Sequence, residues 1–228
     1  MIDKNINVIV PVFNESKVIR LVLEELCKNP NWNIIIVNDG SFDNSMEVCK
    51  KFPVTIINHH DNLGQGAALR TGVEYSLKNN SDILCTFDSD GQHKVADLEN
   101  MIRLLIDGDY EIILGSRFLT KKSKMPFKRF FLLKVAKLFD NLFFSGSNFT
   151  DVHNGLRVFT SNAAFKLDLS ANRMEHASLI TKSIVVNRLI FAEYPVEIIY
   201  SEYSISKGQN FKSLIQLGFK LLKLKFIN

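Results

Sequence analysis

Residues 86–93 read Thr-Phe-Asp-Ser-Asp-Gly-Gln-His, an apolar run ending in two carboxylates, a glycine, an amide and an imidazole. Asp88 and Asp90 repel each other at this spacing, and burying both without a partner is costly. Either water solvates them in a turn or a cation sits between them. Gln92 supplies a third oxygen two residues further on, which favours the cation. Hard divalent ions such as Mg²⁺ or Mn²⁺ take oxygen ligands and share them with phosphate groups. Held by Asp88, Asp90 and Gln92, such an ion could grip a diphosphate.

Three other stretches carry groups of the same kind. Residues 62–72 (NLGQGAALRTG) place Gly64 and Gly66 in a turn that opens a helix. Such a turn either serves only a positive φ or offers free N–H groups to an anion. Arg117 closes the run Gly-Ser-Arg at a strand end, as an ion-pair partner for Asp90 or as a phosphate ligand. His153 lies beside Asp151 and could accept a proton or make only a structural hydrogen bond.

The elements that must position these groups alternate along the first half. Strands are expected over 6–12, 33–39, 54–59, 82–88 and 110–116. Helical patterns fill 16–28, 41–52, 64–79 and 95–108 between them. Apolar strands alternating with amphipathic helices imply an α/β domain, a mostly parallel sheet with helices on both faces. Ligands of such sheets bind beyond the carboxyl ends of the strands. Asn14 and Glu15, Asp39, Asp88 and Asp90, and Arg117 fall there, after the first, second, fourth and fifth strands.

The chain has 228 residues, enough for one sizeable domain. Cys27, Cys49 and Cys85 lie far apart without a C-x-x-C pair, against a disulfide framework or zinc site and in keeping with a reducing cytoplasm. The first residues lack the pattern of a signal peptide, and no apolar run approaches the ~20 residues that span a bilayer. The net charge of +4 is uneven: eight Lys/Arg and no acid fall in 117–139, and five and no acid in 203–228. The rest holds 15 basic against 24 acidic residues, so a diffuse nucleic-acid partner is not expected. Both basic segments read as amphipathic helices, near 126–144 and 210–226. Each could pack on the domain with its lysines solvated; together they point to an anionic membrane surface.

Seven motifs in order give the chain a further identity. VIVPVFNE (8–15), IIIVNDGSFDNS (34–45), NLGQGAAL (62–69), FDSDGQH (87–93), LGSRF (114–118), DVHNGLRVF (151–159) and YSISKGQ (203–209) resemble the inverting family-two glycosyltransferases of the GT-A fold. DSDGQH followed by D-x-x-x-G-L-R is most similar to the dolichyl- and polyprenyl-phosphate mannose synthase branch.

The resemblance implies a single GT-A domain over 1–228, with a nucleotide-sugar half over 1–118 and an acceptor half over 119–228. Pro11, Phe13, Glu15, Asp39, Gly64, Asp88, Ser89, Arg157 and Lys207 match donor-binding positions, with Asp39 reading the base. Asn38 departs from relatives that carry an aspartate there. Asp88, Asp90 and Gln92 match the site of Mg²⁺ or Mn²⁺, and Arg117 an arginine that contacts acceptor or donor phosphate; a basic helix near 126–144 on the membrane would bring Arg117, Arg129 and Lys134 to an acceptor phosphate at the interface. Asp90, Arg117, Asp151 and His176 are the catalytic candidates; Glu175 and His176 stand where hydroxyl-using relatives place a catalytic carboxylate. The implied reaction moves a sugar from a UDP- or GDP-linked donor to a lipid-linked acceptor such as polyprenyl phosphate. The alternatives are a saccharide hydroxyl, as in O-antigen or capsule assembly, and an inactive membrane-associated binding module. The expected location is cytoplasmic, peripheral on the inner face of the cell membrane.

Overall fold

A computed structural model describes residues 4–120, Lys134, Lys137 and 148–200. Seven strands form one sheet: β1 (Ile6–Val12), β2 (Trp32–Asp39), β3 (Thr55–His59), β4 (Ile83–Thr86), β5 (Ile112–Ser116), β6 (Arg157–Thr160) and β7 (Phe191–Pro195). Their order is β3-β2-β1-β4-β6-β5-β7. Every residue of β1 is buried, as expected of a continuous apolar run in a parallel sheet covered on both faces. β1 pairs in parallel with β2 and β4, and β2 with β3.

The helices described in full are α1 (Ile19–Leu26), α2 (Ser45–Cys49), α3 (Gln65–Lys78), α4 (Val95–Asp107), α5 (Ser161–Ala164) and α6 (His176–Val186). On one face α1 buries Ile19, Val22, Leu23 and Leu26, and α4 buries Leu98, Met101, Ile102 and Leu105. Both sets follow helical spacing and pack with Val8, Val10 and Ile36 of the sheet. The opposite face of β1 and β2 presents Ile9, Ile35 and Val37 to α3 and α6, with Leu69, Val73, Ile180 and Ile184 between.

One strand departs from the alternating pattern. β6 runs antiparallel between β4 and β5, so the fifth strand lies one place further from the fourth than a simple βαβ series gives. Four residues beginning with a buried arginine carry too little hydrophobic alternation to announce a strand. The two amphipathic stripes near 126–144 and 210–226, with Arg129 and Lys207, lie outside the described residues. Only Lys134 and Lys137 are described there, both helical, with Lys134 exposed. Among the described residues no helix is long and apolar enough to cross a membrane.

Candidate active site

The sheet order reverses between β1 and β4, which opens a crevice at their carboxyl ends. Asp88 sits in it. Gln65 Nε2 donates to its Oδ1 at 2.9 Å, and His93 Nε2 lies 3.1 Å from its Oδ2. Gly155 comes so close that a Cβ there would overlap the Asp88 carboxylate. Thr86 Oγ1 holds that glycine through its carbonyl at 2.6 Å. Segments from three parts of the chain thus fix one carboxylate.

Asp90 follows two residues later, and the chain turns just after it at Gly91, whose φ is 73°. The Gln92 N–H donates to Asp90 Oδ1 at 3.0 Å, while Ser89 Oγ donates to the Pro11 carbonyl at 2.8 Å. Burial, then the charge of Asp88, pushes the Asp90 carboxyl up to about 6. Burial also opposes ionisation of Asp88, but the hydrogen bond and charge of His93 and the charge of Arg157 outweigh it and lower its pKa. Gln92 is buried, and its carbonyl accepts from the Ile199 N–H.

The end of β2 is held more tightly than the sequence suggests. Asp39 Oδ1 lies 2.8 Å from His59 Nδ1 and accepts from the Leu63 N–H; Oδ2 accepts from the Gly64 N–H at 2.8 Å. His59 Nε2 in turn meets Thr71 Oγ1 at 2.9 Å. The expected anion cradle at the start of α3 is therefore engaged within the protein. The Ala67 N–H donates to the Asn172 carbonyl, and side chains at Gly64 or Gly66 would strike the backbone of 171–172. The Asn38 amide donates to Asn58 Oδ1, a bond an ionised aspartate could not make. Glu15 is buried and its N–H donates to Ser45 Oγ, while Phe13 is partly exposed.

At the end of β5 Arg117 is buried. Its Nε and backbone N–H both donate to Asp151 Oδ2, and Nη2 donates to the His153 carbonyl. The ion-pair partner of Arg117 is thus Asp151 rather than Asp90. Burial opposes the Arg117 charge, but Asp151 outweighs it and raises the pKa. Arg157, in β6, gives Nη2 to the Val152 carbonyl, and its buried Nη1 has no hydrogen-bond partner. Burial lowers it to about 10. Burial brings His153 down to about 4, and burial followed by the charge of Arg157 does the same to His176. His176 Nδ1 meets the Arg173 carbonyl at 2.7 Å, which puts the proton on Nδ1 and leaves Nε2 as an acceptor.

Residues 7–169 match the family described as Glycosyl transferase family 2. The UDP-N-acetylglucosamine–dolichyl-phosphate N-acetylglucosaminyltransferase of Methanococcus voltae is 34% identical over 249 residues, covering 99% of this chain and 98% of that one. The chain belongs to glycosyl transferase family 2. The polyprenol monophosphomannose synthase of Mycolicibacterium smegmatis is 25% identical over 221 residues, covering 90% and 82%. Glucosyl-3-phosphoglycerate synthase of Mycobacterium tuberculosis, solved with Mn²⁺, UDP and glucosyl-3-phosphoglycerate, superposes with a TM-score of 0.74 at 13% identity, over 96% of this chain and 77% of that one. That superposition shows the GT-A fold.

In this family 2 glycosyltransferase the donor set suits a hard cation. Two carboxylates stand two residues apart, one with its pKa raised by burial and then by the charge of the other, and nothing among the described residues donates to Asp90 Oδ2. No group of three His, Cys, Asp or Glu side chains is assembled among the described residues, so beyond Asp88, Asp90 and the Gln92 amide a cation would take its ligands from diphosphate oxygens and water. The contacts that fix Asp88 were not evident in advance. Gln65 lies in the glycine turn and His93 ends the aspartate motif, but no sequence spacing brings either, or Gly155, to Asp88.

Proposed function

We propose that this glycosyltransferase moves a sugar, with inversion, from a UDP- or GDP-linked donor to a polyprenyl phosphate at the cytoplasmic face of a membrane. The observation that carries this reading is the acceptor side itself. Arg157 is buried within charge reach of Asp88 and Asp151 with Nη1 lacking a hydrogen-bond partner, Arg117 is neutralised by Asp151, and both nearby imidazoles are held neutral. Asp151, which a hydroxyl acceptor could use as a base, is committed to Arg117. An anionic phosphate needs no base and is favoured by guanidinium groups. The names of the M. voltae and M. smegmatis relatives agree with that acceptor class.

Asp88 and Asp90 would hold a divalent ion, which neutralises negative charge developing on the leaving diphosphate. Gln65, His93 and the backbone of Gly155 keep Asp88 in place before substrate arrives, so little reorganisation accompanies the reaction. Arg157 adds positive potential behind Asp88. Asp39, fixed by His59 and the 63–64 N–H groups, shapes the loop beside the base and keeps capacity on Oδ2 for one further donor. Arg129, Lys134 and Lys207 are assigned to phosphate groups, and the basic stripes to anionic lipid.

A thermal-shift screen of nucleotide sugars with Mn²⁺ tests the donor half. Ligands that bind only the folded state raise the midpoint. The expected result is a rise with one nucleoside diphosphate sugar in wild type, lost in Asp90→Asn. A screen without any rise, or an Asp90→Asn response equal to wild type, sinks the donor and metal assignments.

A further inference from the structure

Phe42 is 86% exposed, the most of any large apolar side chain among the described residues, and it adjoins the exposed Phe13 to make an apolar patch at the rim of the crevice. It is not left there by a loose loop. The Phe42 N–H donates to Asn14 Oδ1 at 3.0 Å, and the Asn14 N–H returns a bond to Ser41 Oγ at 3.1 Å. Ser16 N–H donates to Asp43 Oδ2 at 3.1 Å and fastens the same two loops further along. Asn14 itself takes φ 55°, a conformation that costs energy and is retained where surroundings demand it. The outcome is a fixed aromatic pair: the rings of Phe13 and Phe42 meet edge to face, with centroids 6.0 Å apart and planes at 81°.

The position of the pair along the rim suggests what it meets. Asp88 and Asp90 follow β4, Phe13 follows β1, and Phe42 follows β2; these three strands are neighbours in the sheet. Two inter-strand spacings, roughly 10 Å, separate the carboxylates from the Phe42 end. That is comparable to the reach of a nucleoside diphosphate whose phosphates sit at Asp88 and Asp90. The base then falls over Phe13 and beside Phe42, on the side away from Arg117.

We propose that Phe42 is the outer wall of the nucleobase site and is covered when the donor binds. The proposal rests on the nucleotide-sugar reading above. A flat heterocycle is the ligand that an exposed, fixed aromatic surface accepts with least demand on hydrogen-bond geometry.

The test measures binding of UDP, GDP and pyrophosphate to the full chain with Mn²⁺ by calorimetry, in wild type, Phe42→Ala and Phe42→Trp. Exposure at this position means that neither substitution threatens the core. Phe42→Ala is expected to raise the nucleotide Kd roughly ten-fold, the size of one base–aromatic stack, and to leave pyrophosphate unchanged. The indole introduced by Phe42→Trp is expected to change its fluorescence with nucleotide and not with pyrophosphate. If wild type and Phe42→Ala bind nucleotide equally, Phe42 is no part of the site and the donor reading stands. If wild type binds no nucleotide, the donor reading and this proposal fall together. A fluorescence change with phosphatidylglycerol vesicles instead of nucleotide assigns Phe42 to a lipid surface and overturns the proposal.

Discussion

Arg117 and Asp151, 34 residues apart, form a buried ion pair in which the Nε–Oδ2 distance is 2.6 Å and the backbone N–H of the arginine reaches the same oxygen. Removing one partner of such a pair leaves an uncompensated charge, at a cost of about 3–5 kcal/mol. Asp151→Asn is therefore expected to lower the urea midpoint substantially. Arg117→Lys should recover little, because an ammonium cannot reproduce the guanidinium geometry around Asp151 and the His153 carbonyl. Equilibrium denaturation of the two variants checks this.

Gly155 gives a second expectation. A methyl group at this position would displace the Asp88 carboxylate or the loop that holds it. Gly155→Ala should fold, with Mn²⁺ and donor affinity reduced together by an order of magnitude or more, as a metal ligand moved from its place implies. Calorimetric titration with Mn²⁺ in the presence of UDP or GDP reads this without depending on turnover. Unchanged Mn²⁺ affinity would show that Asp88 tolerates the shift.

Acid should destabilise the protein in a defined window. His153 and His176 are held neutral, near 4 when folded against about 6.5 for a free imidazole. Between these values the unfolded chain binds more protons, so stability is full above pH 6.5 and falls as pH drops toward 4. Asp90, raised to about 6, works in the opposite direction over the overlapping range, but one carboxyl stands against two imidazoles. The melting temperature is expected to decline from pH 7 to 4.5, with a shallower slope in His176→Gln.

Much of this architecture was legible in the chain because its early strands are apolar and its helices amphipathic. β1 and β2 match the expected 6–12 and 33–39 to within a residue, and α4 matches 95–108. β6 was not legible, since a buried arginine opens it and only four residues follow the ladder. The site divides in the same way. Asp88 and Asp90 could be read from their mutual repulsion at a strand end. The pairing of Arg117 with Asp151 could not, because the choice depends on a strand insertion that moves β5 away from β4. Asp39 was read as a base contact, whereas its oxygens also organise the loop at Leu63 and Gly64, a use that only tertiary structure reveals.

The central claim is transfer to a lipid phosphate, and partition of a labelled product tests it most directly. Purified protein is incubated with Mn²⁺, a labelled nucleotide sugar chosen from the binding screen, and either a short polyprenyl phosphate or a panel of soluble saccharides. The expected result is label extracted into organic solvent only with the polyprenyl phosphate and released from it by mild acid, as a glycosyl phosphate requires. Label that remains aqueous and joins a saccharide, with none in the organic phase, would contradict the lipid-phosphate acceptor.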